Sequence, residues 1–448
     1  MLLTYTSVVD DRGPLDKAFP RVTINTGLSG GSGSRDILVL GTENFSTANL
    51  LRQKNVSFFD AVKINAGKNL ITLGVDHEFN YAYNVFIRNN YGNYTFNSVD
   101  AFLNGGRAVC YERSYSLLDK TTGDETKAAA EFRTMRLGFF ANNEIRVNDQ
   151  FTLNLGLRAD RTRFWTIPIT DPFFNSEAIP KLSQYYDLRG ARSGKVNSPK
   201  WEISPRVGFT YKVNEENLVI RGGIGYFTGR IPLVWPGGTY NNTGVGVGET
   251  PSSIRATNLN VNFPNGSPLV FNPDINSQYT AESFGSTFGL PSGEINLIAN
   301  NFRMPKLMRA SLAFDKKLKN GWSATLEFMV SKNINEIDYA SVNFLPPTLK
   351  SVGSDVRNVY NASGGPIAIP IRPTGTANPY SNVFILGNNN GPKGFAYNAT
   401  ITIDKAWSRG FAFNMNYTIG NSIVLNEGTS SQNSSQWDLW KQLMEEIS

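Results

Sequence analysis

The 448-residue sequence predicts an all-β fold, an antiparallel up-and-down sheet of about twelve strands that forms part of a transmembrane β-barrel. Three observations predict this fold. Apolar and polar side chains alternate over segments of roughly ten residues, which is longer than the usual globular strand and close to a tilted membrane strand. Short turns and long polar segments alternate along the chain. Helical periodicity is almost absent before the C-terminal tail.

The segment FTLNLGLRADRTRFW, residues 151–165, shows the alternation most clearly. Side chains of a strand point to opposite faces with a period of two, so the apolar residues share one face. A soluble sandwich would cover that face with a second layer, and no set of amphipathic helices is available here, although a second sheet would also serve. Lipid is therefore favoured. The residues expected to face the membrane are Phe151, Leu153, Leu155 and Leu157, and those expected to face the lumen are Asn154, Arg158 and Asp160.

Six further segments alternate in the same way. They are NLITLGVDHEFNYAY, SPRVGFTYKV, NLVIRGGIGYF, WSATLEFMV, YNATITID and FAFNMNYTIG. A first hairpin is expected to pair residues 3–9 with residues 21–25.

The connections between strands predict a polarity across the membrane. Short turns are expected at residues 65–69, 147–149, 214–216, 319–321 and 406–410. Long segments rich in Asn, Gly, Ser and Pro cover roughly residues 82–131, 164–202, 230–307 and 333–395. Because the two kinds alternate, every long segment emerges at the same end, as in outer-membrane barrels with periplasmic turns and long extracellular loops.

The composition agrees with one face in lipid and one in water. Charged residues make up 18% of the chain, below the ~25% of typical soluble domains. They avoid the apolar face wherever the strand register is clear from the sequence, as expected where an arginine facing mid-bilayer lipid costs about 2–4 kcal/mol. Aromatic residues lie toward strand ends, as in an interfacial girdle. Outer-membrane lipid is thus the first predicted partner.

Several kinds of chemistry have little support. The chain has one histidine and one cysteine, so an intramolecular disulfide, a multi-histidine metal site and a cysteine zinc site are excluded. The net charge of +6 is spread thinly, which argues against nucleic acid as a partner. We expect no enzyme, no catalytic or metal-binding residue and no cofactor, and the sequence does not identify the residues that contact a ligand.

Two glycine-rich motifs have structural interpretations. GLSGG at residues 27–31 fits a nucleophile pattern around Ser29, but SGSRD follows it where that pattern needs a helix, so a mobile loop is favoured over an esterase site. GIGYFTG at residues 223–229 lies within a strand, and its glycines are expected to relieve crowding in the lumen or permit curvature.

Single titratable residues are expected to be structural. His77 follows the apolar face of its strand, and a packed or boundary position is favoured over a proton or metal role. Cys110 is expected in an extracellular loop. Glu215 and Glu216 are expected to be solvated in a turn.

Four aromatic residues of the long 230–307 segment have two interpretations. They line a ligand vestibule, or they pack the loop against itself, and packing is favoured. They are Trp235, Tyr240, Tyr279 and Phe284.

The order and spacing of several segments carry a family resemblance. They are FFANNEIRVNDQFTLNLGLRAD, SPRVGFTYKVNEENLVIRGGIGYFTGRIP, YTSVVDDRG, TENFSTANLL, NYGNYTFNSVDAFLNGG and MPKLMRASLAFDKKLKNGW. Together they resemble the barrel of TonB-dependent outer-membrane receptors, and within these the Oar-like subgroup. The resemblance runs over most of the chain, to about LNEGTSSQNSSQW.

The resemblance implies a barrel of about 22 strands occluded by an N-terminal plug, which imports a scarce ligand with energy passed through TonB. The sequence departs from that pattern. It shows no signal peptide or plug before Met1, about half of the expected strands, and a helix-like end, DLWKQLMEEIS. We therefore interpret residues 1–426 as a partial outer-membrane barrel with long extracellular loops from a larger receptor, and residues 427–448 as an unassigned tail.

The implied partners are the TonB system, reached through the missing plug, and an unidentified ligand at the extracellular loops. Two other classes of function remain open from the sequence. One is a passive porin or surface adhesin. The other is a soluble all-β carbohydrate-binding protein, which would need shorter strands and loops at both ends of its sheets.

Overall fold

The computed structural model describes residues 1–14, 16–26, 37–119, 125–251, 254, 262–285, 293–350, 358–359, 367–372 and 379–425. Its strands are β1 Leu2–Asp11, β2 Arg21–Asn25, β3 Ile37–Leu40, β4 Ala48–Ala66, β5 Asn69–Ile87, β6 Asn93–Phe96, β7 Cys110–Glu112, β8 Ser114–Ser116, β9 Ala130–Arg146, β10 Phe151–Phe164, β11 Glu202–Val213, β12 Leu218–Thr228, β13 Val247–Glu249, β14 Gly293–Ile298, β15 Lys306–Lys317, β16 Trp322–Asn335, β17 Ile337–Ser341, β18 Leu349–Lys350, β19 Asn358–Val359, β20 Tyr380–Asn388, β21 Phe395–Ser408 and β22 Phe411–Ile423. Its α-helices are α1 Val99–Leu103, α2 Ile179–Leu182 and α3 Val234–Asn241.

Short helical turns complete the described elements. Single 3-10 turns lie at Glu125–Ala128, Asn214–Glu216, Ala281–Phe284 and Lys319–Gly321, and a π turn lies at Phe174–Ala178. None of the described helices is both long enough and apolar enough to cross a membrane.

One antiparallel sheet of 11 strands organises the fold, in the order β1-β4-β5-β9-β10-β11-β12-β15-β16-β21-β22. Its strands are 10 to 19 residues long, which confirms the expectation of membrane-length strands. Four smaller sheets lie in the long connections. The all-β, up-and-down architecture predicted from the sequence is confirmed.

The predicted turns are confirmed at all five positions, because each joins two adjacent strands of the large sheet. The turn between β15 and β16 shows why its sequence is KNG. Asn320 has φ 58° and Gly321 has φ 76°, and Asn and Gly are the residues that adopt this left-handed conformation most readily.

The predicted first hairpin is wrong. Leu2 of β1 pairs with Phe59 of β4, whereas β2 lies in a loop sheet, antiparallel to β3 and parallel to β6. The reason is length and burial. With five residues β2 is too short to cross a bilayer, and its apolar side chains Val22 and Ile24 are buried in a loop core instead.

The sheet has two free edges in the described part of the chain, because β1 pairs only with β4 and β22 only with β21. Neighbouring strands are antiparallel throughout. An odd number of strands then makes β1 and β22 run in the same direction. A barrel that is antiparallel at every junction has an even number of strands, so these two edges do not close on each other.

The two faces of the sheet differ as expected. Leu155 and Leu157 lie on the outer face and are 40% and 52% exposed. The inner face carries the polar residues, including Arg158 and Asp160, and the long connections fold against it. The structure therefore assigns the apolar face to the outside, where lipid would cover it.

The described parts of the long connections are folded rather than extended. The four aromatic residues of the 230–307 segment pack as favoured from the sequence. Trp235, Tyr240 and Phe284 are buried, and Tyr279 is half-buried against a loop core that contains Tyr94, Tyr111 and Phe284. This core and two others are formed mainly by residues of the connections themselves. Residues 27–31 and 427–448, which include Ser29 and the tail, lie outside the described residues.

The assignment of the outer face predicts unequal effects of adjacent substitutions on β10. Leu155→Arg should lower the free energy of unfolding by about 2–4 kcal/mol, because it places a charge in lipid. Asn154→Arg, one residue away on the inner face, should change it far less. Urea titration of protein folded into lipid vesicles, followed by the heat-dependent gel mobility of folded barrels, measures both. Equal losses would contradict the assignment.

Candidate ligand site between the sheet and the folded loops

The inner face carries a closed ring of charges where β5, β9 and β10 lie side by side. Arg136 reaches Asp76 and Asp160, each at 3.1 Å. Arg158 reaches the same two carboxylates at 2.8 and 2.7 Å. Antiparallel register brings these side chains together, since each is an inward-facing residue of neighbouring strands. The ring therefore balances two arginines against two carboxylates within the sheet, and Arg136 also reaches Glu78 at 3.4 Å.

Residues at the base of the loops pair with two further carboxylates of the inner face, beside this ring. Arg230, just after β12, contacts Glu78 of β5 at 2.7 Å. Glu202, at the start of β11, contacts Lys306 at 3.2 Å and Arg303 at 3.4 Å. Both carboxylates are largely buried. The loop ends are thereby fixed to the inner face by ion pairs.

Arg206 differs from the other arginines of this region. Within the described residues it has no acidic partner, and its guanidinium lies 4.4 Å from the centre of the Phe227 ring. It lines a cavity of about 240 Å³ together with the charge ring. A cavity of this size admits a small molecule or several waters.

Helix α3 lies on the inner face above the ring. Tyr240 stacks on Phe132 of β9 at 4.5 Å with an interplanar angle of 4°, and both pack with Ala82 and Ala130. The Tyr240 hydroxyl donates a hydrogen bond to the carbonyl oxygen of Thr166 at 3.0 Å. The connection between β12 and β15 therefore folds inward across the sheet.

A cavity of about 900 Å³ lies beside α3, and we call it the mouth cavity. Its wall is the inner face at the loop ends of β1, β4 and β5, and its other side is formed by α3 and the small strands β13 and β14. Its volume falls within the range of about 300–1,000 Å³ typical of small-molecule sites. Its lining is rich in amides: Asn49, Gln53, Asn84, Asn241, Asn242, Asn296 and Asn382.

Glu294 is the titratable centre of the mouth cavity. It accepts hydrogen bonds from Asn242 at 2.9 Å and Asn296 at 2.7 Å. Burial raises the pKa of Glu294 above its usual range, and the nearby Glu249 carboxylate acts in the same direction. Glu249 itself pairs with Arg88 at 3.0 Å. Burial acts to lower the pKa of Arg88, but the Glu249 carboxylate acts to raise it, and the pKa lies above its usual value.

The single titratable residues considered from the sequence lie apart from this site. His77 is on the outer face, with its ring 5.2 Å from that of Phe139. Cys110 begins β7 in a loop sheet. Glu215 and Glu216 lie in the turn at the opposite end of the sheet, where Glu216 contacts Lys316 at 2.7 Å.

The GIGYFTG motif lies in β12 as expected. A Cβ atom at Gly223 would lie 2.8 Å from the carbonyl oxygen of Val207, which is closer than real Cβ atoms approach. The glycine thus permits close packing of β12 on β11, in agreement with the expected relief of crowding.

Sequence reasoning placed Arg158 and Asp160 in the lumen but did not identify the ring or the mouth cavity. A usable signal for the ring is present in the sequence, because inward positions of neighbouring strands carry opposite charges. The mouth cavity has no comparable signal, since its lining comes from eight separate stretches of the chain.

The barrel pattern and inward-folded loops agree with a sequence comparison. A family model described as "Outer membrane beta barrel domain" matches residues 5–444. The chain belongs to this family. It is an outer-membrane protein of a Gram-negative bacterium. No curated protein matches the sequence.

Solved structures similar to this chain include three transporters and receptors. The outer membrane transporter YddB from Escherichia coli is 10% identical with a TM-score of 0.47, and the match covers 97% of this chain and 40% of that one. A mutant of the ferric enterobactin receptor PfeA from Pseudomonas aeruginosa is 12% identical with a TM-score of 0.40 over 97% and 41%. The siderophore receptor PirA from the same species is 11% identical with a TM-score of 0.37 over 86% and 45%. This chain spans less than half the length of each.

Removing one member of the charge ring should destabilise the barrel. Arg158→Gln leaves Asp76 and Asp160 with Arg136 as their remaining ring partner and should cost about 1.5–3 kcal/mol, the range for hydrogen bonds to charged groups. Adding Asp160→Asn should recover part of the loss. Denaturant unfolding in vesicles measures both effects.

An exposed ion pair on the same face provides the matched control. Arg221 contacts Asp315 at 2.9 Å, and their side chains are 46% and 34% exposed. Arg221→Gln should cost no more than about 1 kcal/mol, because exposed pairs contribute little. A loss equal to that of Arg158→Gln would show that the ring has no special role.

The raised pKa of Glu294 predicts a pH dependence of loop stability. The ordinary pKa of this carboxyl is 4.5, and its pKa in the folded protein is higher. The folded state therefore binds the proton more tightly than the unfolded state does. The stability that the bound proton contributes is lost as the pH rises above 4.5 through the folded pKa. The hydrogen-exchange protection factors of α3 and β14, which are corrected for the intrinsic rise of exchange with pH, should therefore fall over that interval. Glu294→Gln should remove this slope, whereas Glu215→Gln, at the opposite end of the sheet, should leave it. A slope unchanged in Glu294→Gln would contradict the assignment.

Proposed function

We propose that this chain is the barrel region of a TonB-dependent outer-membrane receptor of the Oar-like subgroup, which binds a ligand at its folded extracellular loops and imports it. One observation carries the proposal. The long connections fold onto the inner face and enclose the mouth cavity there, so that a ligand held by the loops would already lie on the transport side of the sheet. The resemblance of the sequence segments to these receptors supports the dependence on TonB.

The charge ring supports the same function. It lies below the loops, and its arginines and carboxylates neutralise one another at 2.7–3.1 Å. A wet, polar inner face with paired charges suits the passage of a hydrated ligand past the sheet. The ion pairs of Arg230 with Glu78 and of Arg303 with Glu202 connect the loops to that face, so that a movement of the loops would be transmitted to it.

A passive porin is the second candidate. The observation that favours it is α3, which packs on the inner face through Tyr240 and Phe132, as a loop folded into the lumen of a barrel does. In that case the inner face would line a permanent channel.

Two measurements on the full-length protein separate these functions without knowledge of the ligand. In planar lipid bilayers a receptor should show no steady conductance, whereas a porin should conduct continuously. In a pull-down, the receptor should retain the periplasmic domain of TonB, and an unrelated porin of the same membrane serves as the negative control. Steady conductance together with no retention of TonB would overturn the proposal.

A further inference from the structure

We propose that the mouth cavity binds an uncharged, polyhydroxylated ligand, an oligosaccharide. The inference rests on the proposed function, because it names the class of molecule that the receptor would import. It is carried by the amide-rich lining, the pairing of the charges and the aromatic side chains at one end of the cavity.

The charged side chains around the cavity are already paired within the protein. Arg12 contacts Asp10 at 3.0 Å, and Arg88 contacts Glu249 at 3.0 Å. Glu294 accepts its two amide hydrogen bonds. A charged ligand would therefore have to displace an existing pair, and the lining offers it no unpaired charge of opposite sign.

Several amides in the lining are available to a ligand. Within the described part of the chain, the side chains of Gln53, Asn84 and Asn382 form no hydrogen bond with the protein. Asn296 is 3% exposed, and its Oδ1 has no hydrogen-bond partner. An amide offers both a donor and an acceptor, as does each sugar hydroxyl, so one planar side chain can satisfy neighbouring hydroxyls of a sugar ring.

An apolar surface adjoins these amides. The rings of Phe45 and Phe86 are stacked with centroids 6.3 Å apart and an interplanar angle of 4°, and Phe45 is 46% exposed. Aromatic side chains beside a few convergent polar groups are the usual composition of a small-molecule site. Here the flat rings match the C–H faces of a pyranose, while the amides match its hydroxyl edges.

A peptide fits the cavity less well. Extended peptides bind by adding a strand to a free sheet edge or through complementary charge. The wall strands β4 and β5 are each paired on both sides, whereas β1 has a free edge in the described part of the chain, and the uncharged tetrapeptides of the test below probe that edge directly. The lining itself is rich in side-chain amides, which favours a ligand rich in hydroxyls.

The test is binding by the full-length protein in detergent. The probes are neutral gluco-, manno-, galacto- and xylo-oligosaccharides of about two to six units, lengths chosen to suit a site of this volume, with uronic acid oligosaccharides and uncharged tetrapeptides as competitors. We expect at least one neutral series to bind and neither competitor to displace it. Binding of only acidic sugars or peptides, or of none of the probes, would overturn the inference.

Substitutions of lining residues test whether the oligosaccharide binds in the mouth cavity. Asn84→Leu and Asn382→Ala should each weaken binding of the positive oligosaccharide by at least about tenfold, or about 1.4 kcal/mol. Asn154→Leu removes an inner-face amide of β10 outside the cavity and should leave binding unchanged. Heat-dependent gel mobility first confirms that each variant folds. Asn382 lies on the loop strand β20, so its substitution does not alter the large sheet. Equal binding by folded Asn84→Leu and Asn382→Ala would place the ligand elsewhere.

The same preparation separates failure of this inference from failure of the proposed function. Retention of TonB without binding of any neutral oligosaccharide would leave the receptor function standing and remove only the ligand class. Oligosaccharide binding by a protein that conducts steadily and does not retain TonB would support the cavity and contradict the receptor.

Discussion

The constraint on which this structure depends is that lipid offers no hydrogen-bond partners to the backbone. Every N–H and C=O group within the bilayer must be paired inside the protein, and antiparallel ladders between long strands achieve this. The 11-stranded sheet meets that requirement at each of its internal strands. The same requirement explains why the short turns lie at one end and the folded connections at the other, since each strand must cross completely before the chain reverses.

The inner face obeys a different rule, because water and protein reach it. Charges are tolerated there only when they are paired or hydrated. In the ring, Arg136 and Arg158 are paired with Asp76 and Asp160. The connections also carry aromatic residues that must be buried. Phe132 on the inner face receives Tyr240 of α3 in this way. Polar pairing in the sheet and apolar burial in the loops together leave the mouth cavity between them.

This arrangement links a ligand site to the wall of the barrel. The cavity is bounded on one side by strands and on the other by loop elements, and ion pairs such as Arg230 with Glu78 join the two. A ligand that changes the loops therefore acts on groups that also hold the inner face. Coupling of this kind requires that the loops be folded objects with their own cores, which extended loops would not provide.

The sequence by itself determined the strands, their faces and the polarity of the turns, because a period of two and turn chemistry are local properties of the chain. It placed Leu155 outside and Arg158 inside correctly. It did not determine which strand follows β1, since β2 satisfies the same alternation yet buries Val22 and Ile24 in a loop core. The charge ring and the mouth cavity were decided only by the tertiary structure, because strand register and the folding of distant loops onto one face bring their residues together.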